Sequence, residues 1–506
     1  MTAIATLPRI TIAAGGRMLP DAALVALTAV RVRAELSLPT MCELTFGEPP
    51  GTLADVETIS PGTALRVAVG DGETPLFDGE VTAVEYACGT AHERVLRVRG
   101  YDRLHRLRTR QPLRVHLQVT PHDLAAEFVA DSGIAVAAGE SGPLWQRLVQ
   151  FRQTDWELLR EVAERCGLYL ALRGDTLHLV TLAGIGEPLP LVVGASLLEG
   201  SVEVNDAASC RSVRVAGWNP ARVEVHGGTA ASPRTGTGQT AGPGAEAAGK
   251  HGGERFFVDE ATPDDRHADA LAQAALDRRI AGEVVFTGVA EGDARLCPGT
   301  RIAVSGVAAL AGEYALTAVT HTLDTRHGFV SALSTAPPPP PPRPAGSTTA
   351  IGVVTRVDDP ETLGRVRVSL PIYGDMETDW LHVVSVGGGV GKGLMAVPDV
   401  GDTVLLLFAH ADPDGGVVLG GLYGMGGMPE SGVADGAVRG FTLRTRGGRR
   451  IHLDDARHLL RLEDGAGSFV ELSPGCVRLY AATDIEIAAL GKDVTIRGKH
   501  INFEEA

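Results

Sequence analysis

Between Phe441 and Phe503 apolar residues recur in pairs at i and i+2: Phe441/Leu443, Ile451/Leu453, Leu460/Leu462, Val470/Leu472, Val477/Leu479, Ile485/Ile487, Val494/Ile496 and Ile501/Phe503. The step between pairs is about seven to ten residues, a near-regular repeat of short strands. Each strand is too short to form a core of its own. A single chain of this pattern has one apolar stripe and nothing to cover it. Three chains wound about one axis bury every stripe against the others, so the repeat predicts a trimeric β-helix or prism. Arg461, Glu463, Asp484 and Lys499 fall between the pairs and are expected to face water.

Upstream, Ile351 to Tyr423 alternates apolar and polar residues in short runs, with Val353, Val366, Val368, Leu370, Val383, Val404, Leu406 and Phe408 on the apolar beat. Turn formers separate the runs: Asp359-Pro360, Gly387 to Gly389, Gly401-Asp402 and Asp412-Pro413-Asp414-Gly415. Five or so short strands in about 70 residues fit a small closed barrel of OB size, because closure removes exposed edges.

Asp359-Pro360, Gly364-Arg365-Val366, Trp380, Gly393, Pro398, Val400-Gly401-Asp402, Val404, Phe408, Asp412-Pro413, Val418-Leu419-Gly420 and Leu422-Tyr423 follow one another in this stretch. In order and spacing they resemble the OB domain of contractile-tail spike proteins, the phage baseplate V and VgrG group. A second, looser resemblance covers Arg9 to Thr335. There Val98 to Arg110, the segment from Thr154 to Leu170, and Val213 to Pro220 are similar to the late-control D-type hub of the same assemblies. The resemblance implies two similar barrels per hub and a pseudo-sixfold ring in a trimer.

The hub region itself reads as strands interrupted by helices. Val30, Val32, Ala34 and Leu36 share a face, as do Leu65, Val67 and Val69. Thr120-Pro121 opens a helix that Gly133 can end, and Thr154 with Glu157 makes a capping box before an apolar stripe stopped by Gly167. A third helix is expected from Thr262-Pro263. Residues 226–254 are rich in Gly, Ala and Thr without pattern and are expected to be a mobile loop. Pro337 to Pro342 should form a stiff polyproline spacer of roughly 20 Å. The fold class is therefore mainly β. A hub occupies 1–335, a Pro-rich linker 336–349, an OB-fold 350–425 and a triple-stranded spike 426–506.

Composition narrows the function. The formal charge of −16 argues against non-specific phosphate binding, though an OB-fold nucleic-acid binder is the natural rival reading. Aromatics make up 5% of residues, which suits a small-residue β architecture better than a large aromatic ligand pocket. The six cysteines are scattered without a CxxC, as expected of free thiols in a reducing compartment. No signal peptide is evident at the N-terminus, so assembly in the cytoplasm is expected.

Chemical motifs are sparse. The nearest histidine pairs are six apart and fit no usual metal spacing; His500 alone stands near the end of the sequence. Asp358/Asp359 and Asp454/Asp455 lie in turns, and Gly139-Glu140-Ser141 has Pro143 where a nucleophile elbow needs glycine. No catalytic, cofactor-binding or metal residue is assigned. The resemblance instead implies a structural role. It points to a trimeric hub and spike of a phage-tail-like injection particle that adapts a sixfold inner tube to a threefold, membrane-puncturing needle. A type VI secretion VgrG spike is the alternative. The implied partners are two further copies, the inner tube protein, baseplate proteins, effector cargo and a PAAR-type tip protein. Ile501, Asn502 and Phe503 are the expected tip-docking residues.

Overall fold

A computed structural model of the chain describes residues 8–504 apart from 48–55, 57, 71–74, 90–93, 220–223, 237, 240–251, 259–261, 341–345, 410–412, 414, 424–426, 429 and 431. The architecture is mainly β. Two compact units, 1–420 and 421–506, divide the chain. Among the described residues the α-helices are α1 (Asp21–Val25), α2 (Pro121–Val129), α3 (Asp155–Arg165) and α4 (Asp265–Ala281).

One eleven-stranded sheet runs through the first region. Within it Leu27–Glu35 and Ala318–Asp324 form an antiparallel pair, which sets Val30 opposite Leu323 and Val32 opposite His321. Strands from near residue 30 and near residue 320 are thus direct neighbours. The two barrels that the resemblance implies for the hub share strands of this one sheet and pack two separate cores. Val30, Val32, Leu44, Phe46, Leu65, Val67 and Val98 belong to one. Phe286, Ile302, Tyr314, Val319 and Leu333 belong to the other. The alternation read from the sequence is the physical cause, since buried residues on these strands fall at every second position.

The helices sit where their caps place them. Thr120 accepts a hydrogen bond from the Asp123 amide and Thr154 one from the Glu157 amide, each completed as a capping box. Gly133 and Gly167 follow α2 and α3 with φ of 68° and 73°. Leu124, Phe128, Trp156, Leu159 and Val162 bury together between them. The third expected helix, α4, starts later than Thr262-Pro263. Its N-cap is Asp264, whose carboxylate accepts from the His267 amide.

The stretch expected to be a mobile loop behaves differently in its described part. Residues Glu224–Ala230 form a strand against Cys210–Asn219, and the chain from Gly227 to Arg234 is fastened along α4. Its glycines serve close packing: a Cβ on Gly228 would stand 2.2 Å from the Asp269 nitrogen. Residues 240–251 of that stretch lie outside the described residues, as do Pro341 and Pro342 of the proline run.

Residues Thr348–Arg356, Arg367–Leu370, Thr403–Phe408 and Gly416–Gly421, with the short Met376–Glu377 and His382–Val383, make one six-stranded sheet. Reciprocal bonds of 2.9 and 2.8 Å between Val366 and Leu381 join its two sides and close it into a barrel. Val354, Val368, Leu370, Val404, Leu406 and Phe408 fill it. The barrel touches the preceding region directly. Phe151 packs on Tyr373 at 5.7 Å between ring centroids, and Arg147 Nη2 donates to the Glu377 carbonyl at 2.6 Å.

Candidate assembly surface

The second unit carries a five-stranded antiparallel meander: Gly440–Arg444, Arg450–Asp454, Leu459–Glu463, Phe469–Ser473 and Cys476–Tyr480. Its register turns the apolar pairs of the sequence into two continuous rows. One row is Phe441, Leu453, Leu460, Leu472 and Val477; the other is Leu443, Ile451, Leu462, Val470 and Leu479. Because side chains alternate across a strand, all ten share one face. That face is open. Phe441 is 65% exposed, Leu462 41% and Val477 71%. Isolated exposed leucines are ordinary, but a contiguous apolar sheet face of this size marks an interaction site.

The opposite face is self-contained. Arg461 Nε lies 2.8 Å from Glu463, and its Nη1 lies 3.1 Å from Glu471. Arg450 Nε lies 3.2 Å from Glu463, and His452 Nδ1 lies 3.0 Å from Glu430. Burial opposes the charged form of Glu463, yet Arg461 and Arg450 outweigh it and hold this carboxyl below the usual range. The Arg461 guanidinium also covers the Phe469 ring at 3.9 Å, and Phe469 stacks on Tyr480 at 5.3 Å. Arg461 and Glu463 were expected simply to face water; they form a half-buried ionic ladder instead. The contrast between the faces gives the sheet its chemistry. Charged groups on one face pair within the chain, and the apolar rows on the other are left open.

The remaining expected pairs, Ile485/Ile487, Val494/Ile496 and Ile501/Phe503, lie in residues 481–504, which have no regular strand. Ile501 and Phe503 are 47% and 90% exposed, and Asn502 is exposed beside them. His500 is exposed as well. Among the described residues no group of three or more His, Cys, Asp or Glu side chains is arranged to hold a metal ion. Among the described residues no helix is long and apolar enough to cross a membrane.

On the barrel, Asp359 and Arg365 form a buried clamp. The Asp359 carboxylate accepts from the Glu361 and Leu363 amides at 3.1 and 2.9 Å and from both Nε and Nη2 of Arg365. The guanidinium holds that carboxyl far below the usual range. The Asp-Pro turn read from the sequence is thus locked by a residue six positions on. Trp380, the one indole on the barrel, has the guanidiniums of Arg356 and Arg367 at 5.5 and 5.1 Å. Those arginines pair in turn with Asp358 and with Glu377 and Asp379. A stacking platform for bases needs a free aromatic face beside unneutralised cations. Here both are already engaged within the barrel.

Sequence reasoning missed the way the chain is fastened to α4. Asp265 accepts from the Gly227 amide at 2.9 Å and Asp269 from the Thr229 amide at 3.0 Å. Gln273 Nε2 donates to the Ser232 carbonyl at 2.9 Å, and Asp277 accepts from the Arg234 amide at 2.7 Å. The signal was present as a polar stripe at steps of four. Four helical residues rise about 6 Å, close to the roughly 6.6 Å of two strand residues, so a helix stripe can read alternate amides of a parallel strand.

Residues 350–423 match the family described as the type VI secretion system/phage-baseplate injector OB domain. No curated protein matches the chain. Three solved structures show the likeness of fold. The 43 kDa tail protein of prophage MuSo2 from Shewanella oneidensis is 17% identical with a TM-score of 0.50, over 64% of this chain and 97% of its own. The E. coli c3393 protein is described as a type VI secretion component with structural similarity to T4 tail proteins gp27 and gp5. It is 13% identical with a TM-score of 0.51, over 78% of this chain and 96% of its own. A chain of the half-lidded Francisella PdpA-VgrG complex is 9% identical with a TM-score of 0.53, over 93% of this chain and 87% of its own. The architecture is therefore that of a VgrG-like, phage-tail-related baseplate protein. Residues 5–325, more than half of the chain, match the family described as the Alg8 N-terminal domain. The chain belongs to that family.

Proposed function

We propose that the chain is the structural hub and spike of a contractile injection system, working as a homotrimer. In this reading residues 1–335 form the hub, 336–349 the linker, 350–425 the OB collar and 426–506 the needle. The hub joins the sixfold inner tube to a threefold needle, and contraction drives the needle through a target envelope. The observation that carries it is the open ten-residue apolar face of the C-terminal sheet, joined to a barrel of the injector OB family. Such a face needs a partner, and identical faces on three chains supply it to one another. The exposed Ile501, Asn502 and Phe503 are the docking face for a PAAR-type tip protein in this reading, with inner tube and baseplate proteins at the hub and effector cargo as a passenger. The particle is assembled in the cytoplasm. The matched OB family covers both type VI and phage-baseplate injectors, so a type VI spike is the second reading. The decisive measurement is the mass of the full chain in solution by sedimentation equilibrium. Three copies are expected at micromolar concentration; a stable monomer refutes the proposal.

A further inference from the structure

The fastening of residues 227–234 to α4 ends at its N-terminal side on two buried histidines that assembly does not use. His226, on the strand, is 7% exposed, and His267, in the first turn of α4, is 5% exposed. Each ring has one nitrogen engaged. His226 Nε2 lies 2.8 Å from the Thr262 hydroxyl, and His267 Nδ1 lies 2.7 Å from the Asp264 carboxylate. The other nitrogen of each ring, Nδ1 of His226 and Nε2 of His267, is buried with no partner. The Trp145 indole packs edge-on against His267 at 4.4 Å between centroids, walling that side with carbon.

Neutral imidazoles tolerate this site, because an unprotonated ring nitrogen without a donor forgoes only one hydrogen bond. A protonated one is a buried cation whose new N–H has no acceptor, which is far more costly. The groups facing the pair come from three elements. Asp264, the cap of α4, favours a proton on His267. Arg165 at the end of α3 and His226 on the strand both oppose it, as does the positive end of the α4 dipole. Trp145, from the strand Trp145–Gln150, brings no charge. Asp265 and Asp269, further along α4, are engaged with the Gly227 and Thr229 amides.

We propose that His226 and His267 form an acid-sensitive clasp, in which a proton taken up at mildly acidic pH releases residues 226–234 from α4. Burial is the leading cause that pushes the His267 ring below the ordinary histidine range, and the opened form recovers the ordinary value. Opening is therefore suppressed above about pH 6.5 and promoted as pH falls below it, by up to about tenfold per pH unit for one histidine. The inference stands whether or not the chain is a spike.

The test is hydrogen exchange on the full chain at pH 7.5 and pH 5.5, corrected for the intrinsic pH dependence of exchange. The readout is the amides of Gly227, Thr229 and Arg234, with Val368 and Leu406 of the barrel as internal controls. The expected result is a rise of about tenfold in local opening at the three amides, no change at the controls, and a flat response in His267→Gln. A flat response in the native chain, or an equal rise in His267→Gln, overturns the proposal. A ring-carbon NMR titration of the native chain needs no variant. A His267 midpoint below the ordinary histidine range supports the clasp, and a midpoint at or above that range overturns it.

Discussion

Leu462 offers the sharpest test of the assembly. It lies on the middle strand of the C-terminal sheet, with Ile451 on one side and Val470 on the other. Within one chain 41% of the residue remains exposed. Complete burial of a leucine side chain stabilises by about 1.5–3 kcal/mol, so covering the remainder against neighbouring chains contributes about 1 kcal/mol per copy. Three copies contribute about 3 kcal/mol, equivalent to about a 100-fold change in the dissociation of the trimer. Leu462→Ala should weaken trimerisation by that order, measured by sedimentation equilibrium across a dilution series. Circular dichroism checks that the strands are retained. Arg478→Ala, on the opposite face, should leave the association unchanged. Equal dissociation of Leu462→Ala and the native chain would refute the burial of this face. Equal weakening by both variants would show that the loss is one of folding rather than of the interface.

Three further outcomes follow from the packing. Gly228→Ala places a methyl group 2.2 Å from the Asp269 nitrogen and 2.3 Å from the Ala268 carbonyl carbon. The helix backbone must move, at a cost of about 1–3 kcal/mol, and a thermal melt should show it; an unchanged midpoint contradicts the close approach. Asp359→Asn strips the buried Arg365 of its buried charge partner, leaving the exposed Glu361 at 3.5 Å, and should destabilise the barrel by about 3 kcal/mol in urea. The native Asp359 carboxyl is held below its unfolded value. Its contribution is therefore complete above about pH 4 and lost as pH falls further, an acid slope the variant should lack. His321 is pushed down to about 4 by burial, while its unfolded value is near 6.5. Stability should fall by about 3 kcal/mol as pH drops from about 6.5 to about 4, and His321→Gln should flatten that slope in pH-dependent urea titrations.

Much of this protein was legible locally. The Thr154/Glu157 capping box and the Thr120 cap could be read from the sequence, because a cap is satisfied by its own helix; that Asp123 completes a second box came from the structure. The barrel strands could be read from alternation, and the Asp359-Pro360 turn from its chemistry. The C-terminal pairs even specified an apolar face, since period two puts i and i+2 on one side regardless of what lies beneath. The glycines from Gly227 onward misled for the opposite reason. Composition alone cannot distinguish a glycine that leaves the chain free from one that lets a helix approach. Gly228 is the second kind, and only the position of Asp269 reveals it.

The sequence by itself determined which residues alternate, where helices start and stop, and that the C-terminal strands hold an apolar stripe they cannot bury within one strand. These properties depend on neighbours a few residues away. Only the tertiary structure decided that strands near residues 30 and 320 share one sheet, and that Val366 meets Leu381 to close the barrel. It also brought Phe151 to rest on Tyr373, and buried His226 and His267 with two nitrogens unanswered. Those outcomes join segments up to hundreds of residues apart. Their energy comes from burial shared between surfaces, which no local pattern encodes.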